Sequence, residues 1–225
     1  MEIKYLGHSA VQLADGSTTL LIDPFLTGNP KAAATGDELE PDVILLTHGH
    51  DDHLGDSVAI AKRTGAPILA ITDLARELDE EGVQTFDPNL GGTVTFDWGW
   101  VKLVPAWHTS TTPKGTVNTS AGLLISFAGT VIYHLGDTCL FSDLKLIARR
   151  GSQIDVALVP IGGHYTMDRF DAVTAVEYID PRTVIPIHYD TFPPLRTDAQ
   201  AFKSDVESQT GARCVVLAPG DTHSP

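Results

Sequence analysis

The chain has 225 residues, 42% of them hydrophobic, and a formal net charge of −14 from 29 acidic and 15 basic residues. That length supports one large core, so a single domain over residues 1–225 is expected, and the charged fraction of 20% argues against disorder. The acidic balance excludes nucleic acid as a main partner, because phosphates attract basic surfaces, and no apolar run approaches the ~20 residues that would cross a membrane.

Short β-rich runs come first: Ile3 to Leu6, Ala10 to Leu13 and Thr18 to Ile22, with Asp15-Gly16 as a turn signal. A Pro- and Gly-rich loop from Asp23 to Pro41 follows, and its Pro24 to Gly28 segment is placed to frame a pocket. Val43 to Leu46 reads as a strand covered on both faces. His53 to Arg63 reads as a helix closed by Gly65, Pro67 to Ala70 as a strand, and Asp73 to Glu80 as a helix. Strands recur at Thr93 to Phe96, Trp100 to Val104, Gly122 to Phe127 and Thr130 to His134. Then come a helix (Leu140 to Arg150), a strand (Val156 to Val159), a helix (Asp168 to Tyr178), a strand (Thr183 to Ile187), a helix (Asp198 to Thr210) and a last strand (Cys214 to Leu217). Strand clusters followed by strand–helix alternation occur in both halves; two such halves packed sheet against sheet would make a four-layer αββα sandwich of the α/β class. The N-terminus has no apolar stretch of signal-peptide length, and both cysteines, Cys139 and Cys214, sit in apolar surroundings and read as core thiols. A cytoplasmic, reduced setting is expected.

One pattern carries chemistry. Apolar strands end, and within a few residues comes a metal-binding type: Val43 to Leu46 leads to His48, Val101 to Pro105 to His108, Val131 to Leu135 to Asp137, and Val184 to Ile187 to His188. Ligand sites in α/β sheets gather at the carboxyl ends of strands. The densest piece is His48-Gly-His50-Asp-Asp52-His53. Alternate residues of an extended segment point the same way, so His48 and His50 can share an ion, while Asp52 and His53 lie past the turn and can reach a second. Imidazole nitrogens and carboxylate oxygens suit zinc, manganese, iron, nickel or cobalt.

This pattern resembles the metallo-β-lactamase superfamily, whose HxHxDH signature is followed by a separate His, a separate Asp and a last His; all seven positions are filled in that order. Leu6-Gly-His-Ser-Ala10, Ile22-Asp-Pro-Phe25, Pro160 to Met167 and Pro186 to Pro193 suggest a branch of small metal-dependent hydrolases, related more distantly to ascorbate-6-phosphate lactonases. The resemblance implies that His48, His50 and His108 hold one divalent ion, that Asp52, His53 and His188 hold another, and that Asp137 bridges them. Zinc is the first expectation for both ions, with manganese, iron or nickel as alternatives. A hydroxide bridging the two would attack an ester, lactone or phosphoryl bond of a small molecule, and Asp52 would orient it and accept its proton. Two other readings stay open: an enzyme resembling mononuclear iron sulfur dioxygenases, and a non-catalytic metal-binding regulator on the same scaffold.

Around this set, His8 is a candidate for substrate contact, His134 for substrate contact or for support behind the ligands, and His164, after two glycines at a strand end, for substrate binding or proton transfer to the leaving group. Asp23 is placed to hold a ligating His by its free ring N–H. The Thr- and Gly-rich stretch 109–118 is either a flap over the site or a solvated connection. A homo-oligomer is compatible with the sequence.

Overall fold

The computed structural model describes residues 1–148 and 153–225. In the first half, β1 (Glu2–Gly7), β2 (Ala10–Ala14) and β3 (Thr19–Ile22) form an antiparallel meander. They continue in parallel through β4 (Val43–Leu45), β5 (Ile68–Leu69) and β6 (Thr85–Phe86). The helices α1 (Asp51–Leu54), α2 (Ser57–Thr64) and α3 (Thr72–Glu80) lie between these parallel strands in the chain.

The second half repeats the scheme. β7 (Thr93–Phe96), β8 (Gly99–Pro105), β9 (Ala121–Phe127) and β10 (Thr130–His134) are antiparallel. β11 (Val156–Pro160), β12 (Thr183–Ile187) and β13 (Arg213–Cys214) follow in parallel, interleaved with α5 (Arg169–Ile179) and α6 (Ala199–Gln209), after the short α4 (Leu144–Ala148). The final strand, β14 (Thr222–His223), returns to the first sheet beside β1, giving two seven-stranded mixed sheets.

Side-chain alternation shows how the layers pack. On β9, Leu123, Ile125 and Phe127 join the core shared by the two sheets, while Leu124 faces the core beneath the second-half helices. On β11, Val156 and Leu158 face the shared core and Ala157 and Val159 the helix side, where Ala172, Val176 and Phe202 pack. This is the expected αββα sandwich.

The expected helix His53 to Arg63 is two helices, for a local reason. Gly55 adopts φ 44°, and a Cβ there would lie 2.4 Å from the Pro24 carbonyl oxygen, so only glycine fits. Asp56 then accepts bonds from the backbone N–H groups of Leu26 (3.0 Å) and Thr27 (2.7 Å), seating α2 on the Pro24–Thr27 segment. Helix α4 starts four residues later than expected, and Arg149 and Arg150 of the expected helix lie outside the described residues. The expected last strand shrinks to Arg213–Cys214, and β6 and β14 were not anticipated. Cys214 is buried, but Cys139 is exposed, correcting its reading as a core thiol. Among the described residues no helix is long and apolar enough to cross a membrane.

Candidate metal centre

Strand direction explains why distant residues meet. β1 and β3 run the same way, because each is antiparallel to β2, and β4 is parallel to β3. In the second sheet β8 and β10 are both antiparallel to β9, and β11 and β12 continue parallel to β10. The carboxyl ends of these strands therefore lie along one edge of each sheet. His8, Asp23 and His48 leave the first sheet there, with His50, Asp52 and His53 just after; His108, Asp137 and His188 leave the second.

Three overlapping groups of donor atoms result, each with its atoms within 4.8 Å of one another: His48, His50 and His108; His48, His53 and Asp137; and His8, Asp52, His53 and His188. His48 Nε2 lies 3.0 Å from His50 Nδ1. Asp137 Oδ1 lies 3.2 Å from His53 Nε2, and its Oδ2 lies 3.1 Å from His188 Nε2 and 3.5 Å from His108 Nε2. Ligands held tetrahedrally at about 2.0–2.1 Å from one ion lie about 3.3 Å apart, so these spacings suit shared ions. His53 Nε2, His188 Nε2 and Asp137 Oδ1 are buried with no aligned hydrogen-bond partner. Buried polar atoms without partners are costly; here they converge on one region, and their chemistry fits a divalent metal.

Surrounding groups fix which nitrogen faces inward. Asp23, fully buried, accepts the Thr47 backbone N–H (2.8 Å), the Thr47 hydroxyl (2.6 Å) and the His53 Nδ1–H (2.7 Å). With its proton on Asp23, Thr47 Oγ1 accepts the Nδ1–H of His48 at 3.0 Å. Both imidazoles therefore turn an Nε2 lone pair toward the centre. Gly49 is held from the other side: its N–H donates to Ser110 Oγ (3.0 Å) and Asn118 Oδ1 (3.1 Å). A Cβ at Gly49 would lie 2.6 Å from Asn118 Nδ2 and 2.8 Å from Thr112 Cγ2, so any larger residue between the first two histidines must displace the side chains that hold the motif. The 109–118 stretch is thus an anchored buttress, tied also by Thr112 donating to Glu77 (2.7 Å). Asp23 (φ 44°), His8 (φ 58°) and His188 (φ 54°) all adopt left-handed backbone, a strain that the packing around the site sustains.

The electrostatics are those of a buried, crowded cation site. Burial pushes His48 well below the ordinary imidazole value, and neighbouring His53 adds to it. Burial also disfavours charge on His53, but Asp137 and Asp23 outweigh it and hold its pKa well above the ordinary value. Asp137 lies well below the ordinary carboxylate range: burial opposes this, and His188 and His53 overcome it. Asp52 is lowered in the same way, against burial, by a hydrogen bond from His8 and by the charge of His53.

A cleft of about 620 Å³ opens above this floor, lined by Phe25, His50, Asp51, Asp52, His108, Thr109, Asp137, Tyr165, Phe192 and Pro194. The residues expected to touch substrate are not among them. His8 is fully buried: its Nε2 meets Asp52 Oδ2 at 3.2 Å and its Nδ1 meets Thr191 Oγ1 at 2.8 Å. Burial, then His188, lower its pKa to about 4. His134 is also fully buried, its Nε2 3.1 Å from the Ser9 carbonyl and its Nδ1 accepting the Gly136 N–H at 3.1 Å. Neither ring lines the cleft; both brace its walls. His164 is exposed and does not line the cleft; its ring packs against that of Tyr165 (4.5 Å between centroids), which does. Tyr165, Phe192 and Pro194 were missed as cleft residues because they stand on loops, where no periodic signal marks which side chain faces inward. A larger cavity, about 1210 Å³, shares Phe192 with this cleft but contains none of the seven donors.

Comparison with known proteins agrees with this geometry. The profile described as "Beta-lactamase superfamily domain" matches residues 2–188. A UPF0173 metal-dependent hydrolase of Thermus thermophilus is 47% identical over 222 residues, covering 98% of this chain and 97% of that one. One from Symbiobacterium thermophilum is 47% identical over 226 residues, covering both chains completely. Among solved structures, Igni18, a metallo hydrolase of the archaeon Ignicoccus hospitalis, is 37% identical with a TM-score of 0.90, covering 99% of this chain and 97% of that one.

Proposed function

The chain belongs to the beta-lactamase superfamily, among its UPF0173 metal-dependent hydrolases, and from that premise we propose that it hydrolyses an ester, lactone or phosphoryl bond of a small molecule at a dinuclear metal centre. The observation that carries this reading is the convergence of seven His and Asp side chains, each 3.0–3.9 Å from another of the set at their nearest atoms, on the floor of an open cleft. His48, His50 and His108 would hold one ion, and Asp52, His53 and His188 the other. Asp137, within 3.5 Å of donors from both sets, would be common to the two. Bound there, the ions would supply an acidified water and a polarising charge for the substrate oxygen. Zinc suits the His-rich donor set best, with manganese, iron or nickel as alternatives.

The protein's own part is orientation and proton handling. The Asp52 side chain is 31% exposed and lines the cleft, so its carboxylate can accept a proton from the attacking water. Asp23, Thr47 and His8 hold the ligands rigid, so little reorganisation accompanies reaction.

The test is elemental analysis of the purified protein together with turnover of a panel of lactones, thioesters and phosphodiesters. Two equivalents of metal with hydrolysis are expected. His50→Ala and Asp137→Ala should each lose metal and turnover. Retained stoichiometric metal in both variants would overturn the dinuclear assignment. Oxygen uptake with a persulfide, without hydrolysis, would replace the hydrolase by a dioxygenase.

A further inference from the structure

We infer that the group flanking the scissile bond is uncharged and apolar or aromatic, and that phosphorylated small molecules are poor ligands. This rests on the hydrolase reading and narrows it to neutral esters, lactones or thioesters.

The cleft wall above the metal floor is built from rings. Phe25 and Phe192 form one side, 6.3 Å apart and tilted by 37°, with Pro194 beside them. Tyr165 faces the same space and keeps 56% of its surface exposed. Such a wall removes apolar surface from water when a flat or aliphatic group enters, and aromatic pairing adds to the gain. Its volume, about 620 Å³, is of the order that small-molecule sites use.

Charge in the cleft points the same way. Phosphate groups are recognised by Arg forks and Lys ammonium groups. Among the described residues lining this cleft none is Lys or Arg, and Asp51 adds a carboxylate that is not one of the seven donors. Lys31 and Arg196 line the other cavity instead. The distant part of the −14 charge is screened beyond about 8–10 Å, so the local carboxylate decides. A phosphorylated substrate would have only the metals for its negative charge, and the scissile group must occupy those.

The test uses the metal-loaded full chain and two matched lactones of one ring size, one with a phenyl substituent and one with a phosphate. The corresponding lactams, which resist cleavage, give binding without turnover, read by calorimetry. The phenyl lactam should bind at least tenfold more tightly than the phosphorylated one. Phe192→Ala should weaken phenyl-lactam binding about tenfold, a cost typical of losing one aromatic contact. Tyr165→Ala, at an exposed position where folding is not at stake, should weaken it severalfold. Both variants should leave phosphorylated-lactam binding within twofold. Equal or tighter binding of the phosphorylated lactam would overturn the inference, as would phenyl-lactam binding unchanged in both variants. If the phenyl lactam binds as expected but neither lactone is cleaved, the preference of the cleft for an uncharged apolar group stands and the hydrolase reading on which its catalytic meaning rests fails.

Discussion

Replacing Asp23 with Asn removes one charge and almost no volume, at a position with no solvent to compensate. The native carboxylate accepts three hydrogen bonds at 2.6–2.8 Å. An amide has one oxygen and one NH2 group, so whichever way it is turned, a donor faces a donor. If its nitrogen takes the place of Oδ2, it meets the Thr47 hydroxyl and the His53 Nδ1–H; if it takes the place of Oδ1, it meets the Thr47 backbone N–H. Losing a hydrogen bond to a charged group and leaving a buried donor unpaired costs about 1.5–3 kcal/mol. In either orientation His53 loses the carboxylate charge behind it, and in the first it also loses its fixed tautomer; groups that orient ligating histidines are typically worth 10–100-fold in metal affinity, or about 1.4–2.7 kcal/mol. Competition with a chromophoric chelator reads this directly, and denaturant titration of the metal-free protein reads the stability cost. Metal affinity in Asp23→Asn within twofold of the parent would refute the reasoning, because it would mean that the carboxylate charge behind His53 contributes nothing to metal binding.

Four further outcomes follow from the same geometry. His134→Leu should cost about 2–4 kcal/mol in urea unfolding by leaving the Ser9 carbonyl and the Gly136 N–H unpaired. The KM of its folded fraction should be unchanged, whereas a raised KM would restore His134 to the substrate site. Gly162→Ala puts a Cβ 2.2 Å from the His188 carbonyl oxygen; His188 must move, and metal analysis should show loss of one equivalent. The metal-free protein should become acid-labile. The lowered pKa values of Asp52 and Asp137 stabilise the fold above the ordinary carboxylate value of about 4, and that stability disappears as pH falls through the lowered values. Thermal unfolding at pH 3 and pH 6 checks it, equal midpoints being the contrary result. Gly49→Ala should reduce metal retention by forcing Asn118 and Thr112 away from the motif, seen as faster metal loss to a chelator.

How much of this was legible beforehand depended on which physical signal a residue carries. His48, His108, Asp137 and His188 stand out because each follows a buried strand, and strand ends are where such sites assemble. Asp23 was readable for the same reason, and Thr47 sat between it and His48 without being singled out. Strand–helix alternation gave the two halves, but β6 and β14 are two residues each, too short for any period to register. The break at Gly55 was hidden because the surrounding residues favour helix, and what overrides them is a contact with Pro24, distant in sequence. The direction of the His8 and His134 rings was hidden for a related reason. Sequence marks a histidine beside a strand end, but only packing decides whether its ring reaches the cleft or turns inward onto Thr191 or Ser9.

The division of the donors between the two sheets has a mechanical consequence. His48, His50, Asp52 and His53 come from the first sheet's edge; His108, Asp137 and His188 come from the second's. An ion shared between these sets is a clamp across the sandwich, closing a long chain loop much as a cross-link does. An ion present at a hundred times its dissociation constant adds about 2.7 kcal/mol to the closed state. Neither half alone owns a complete set of donors, so metal uptake reports that the two sheets have docked. Stripping the metal should let amide hydrogens at this rim exchange sooner than those of the shared core, and the edge that performs the chemistry would be the first seam of the molecule to open.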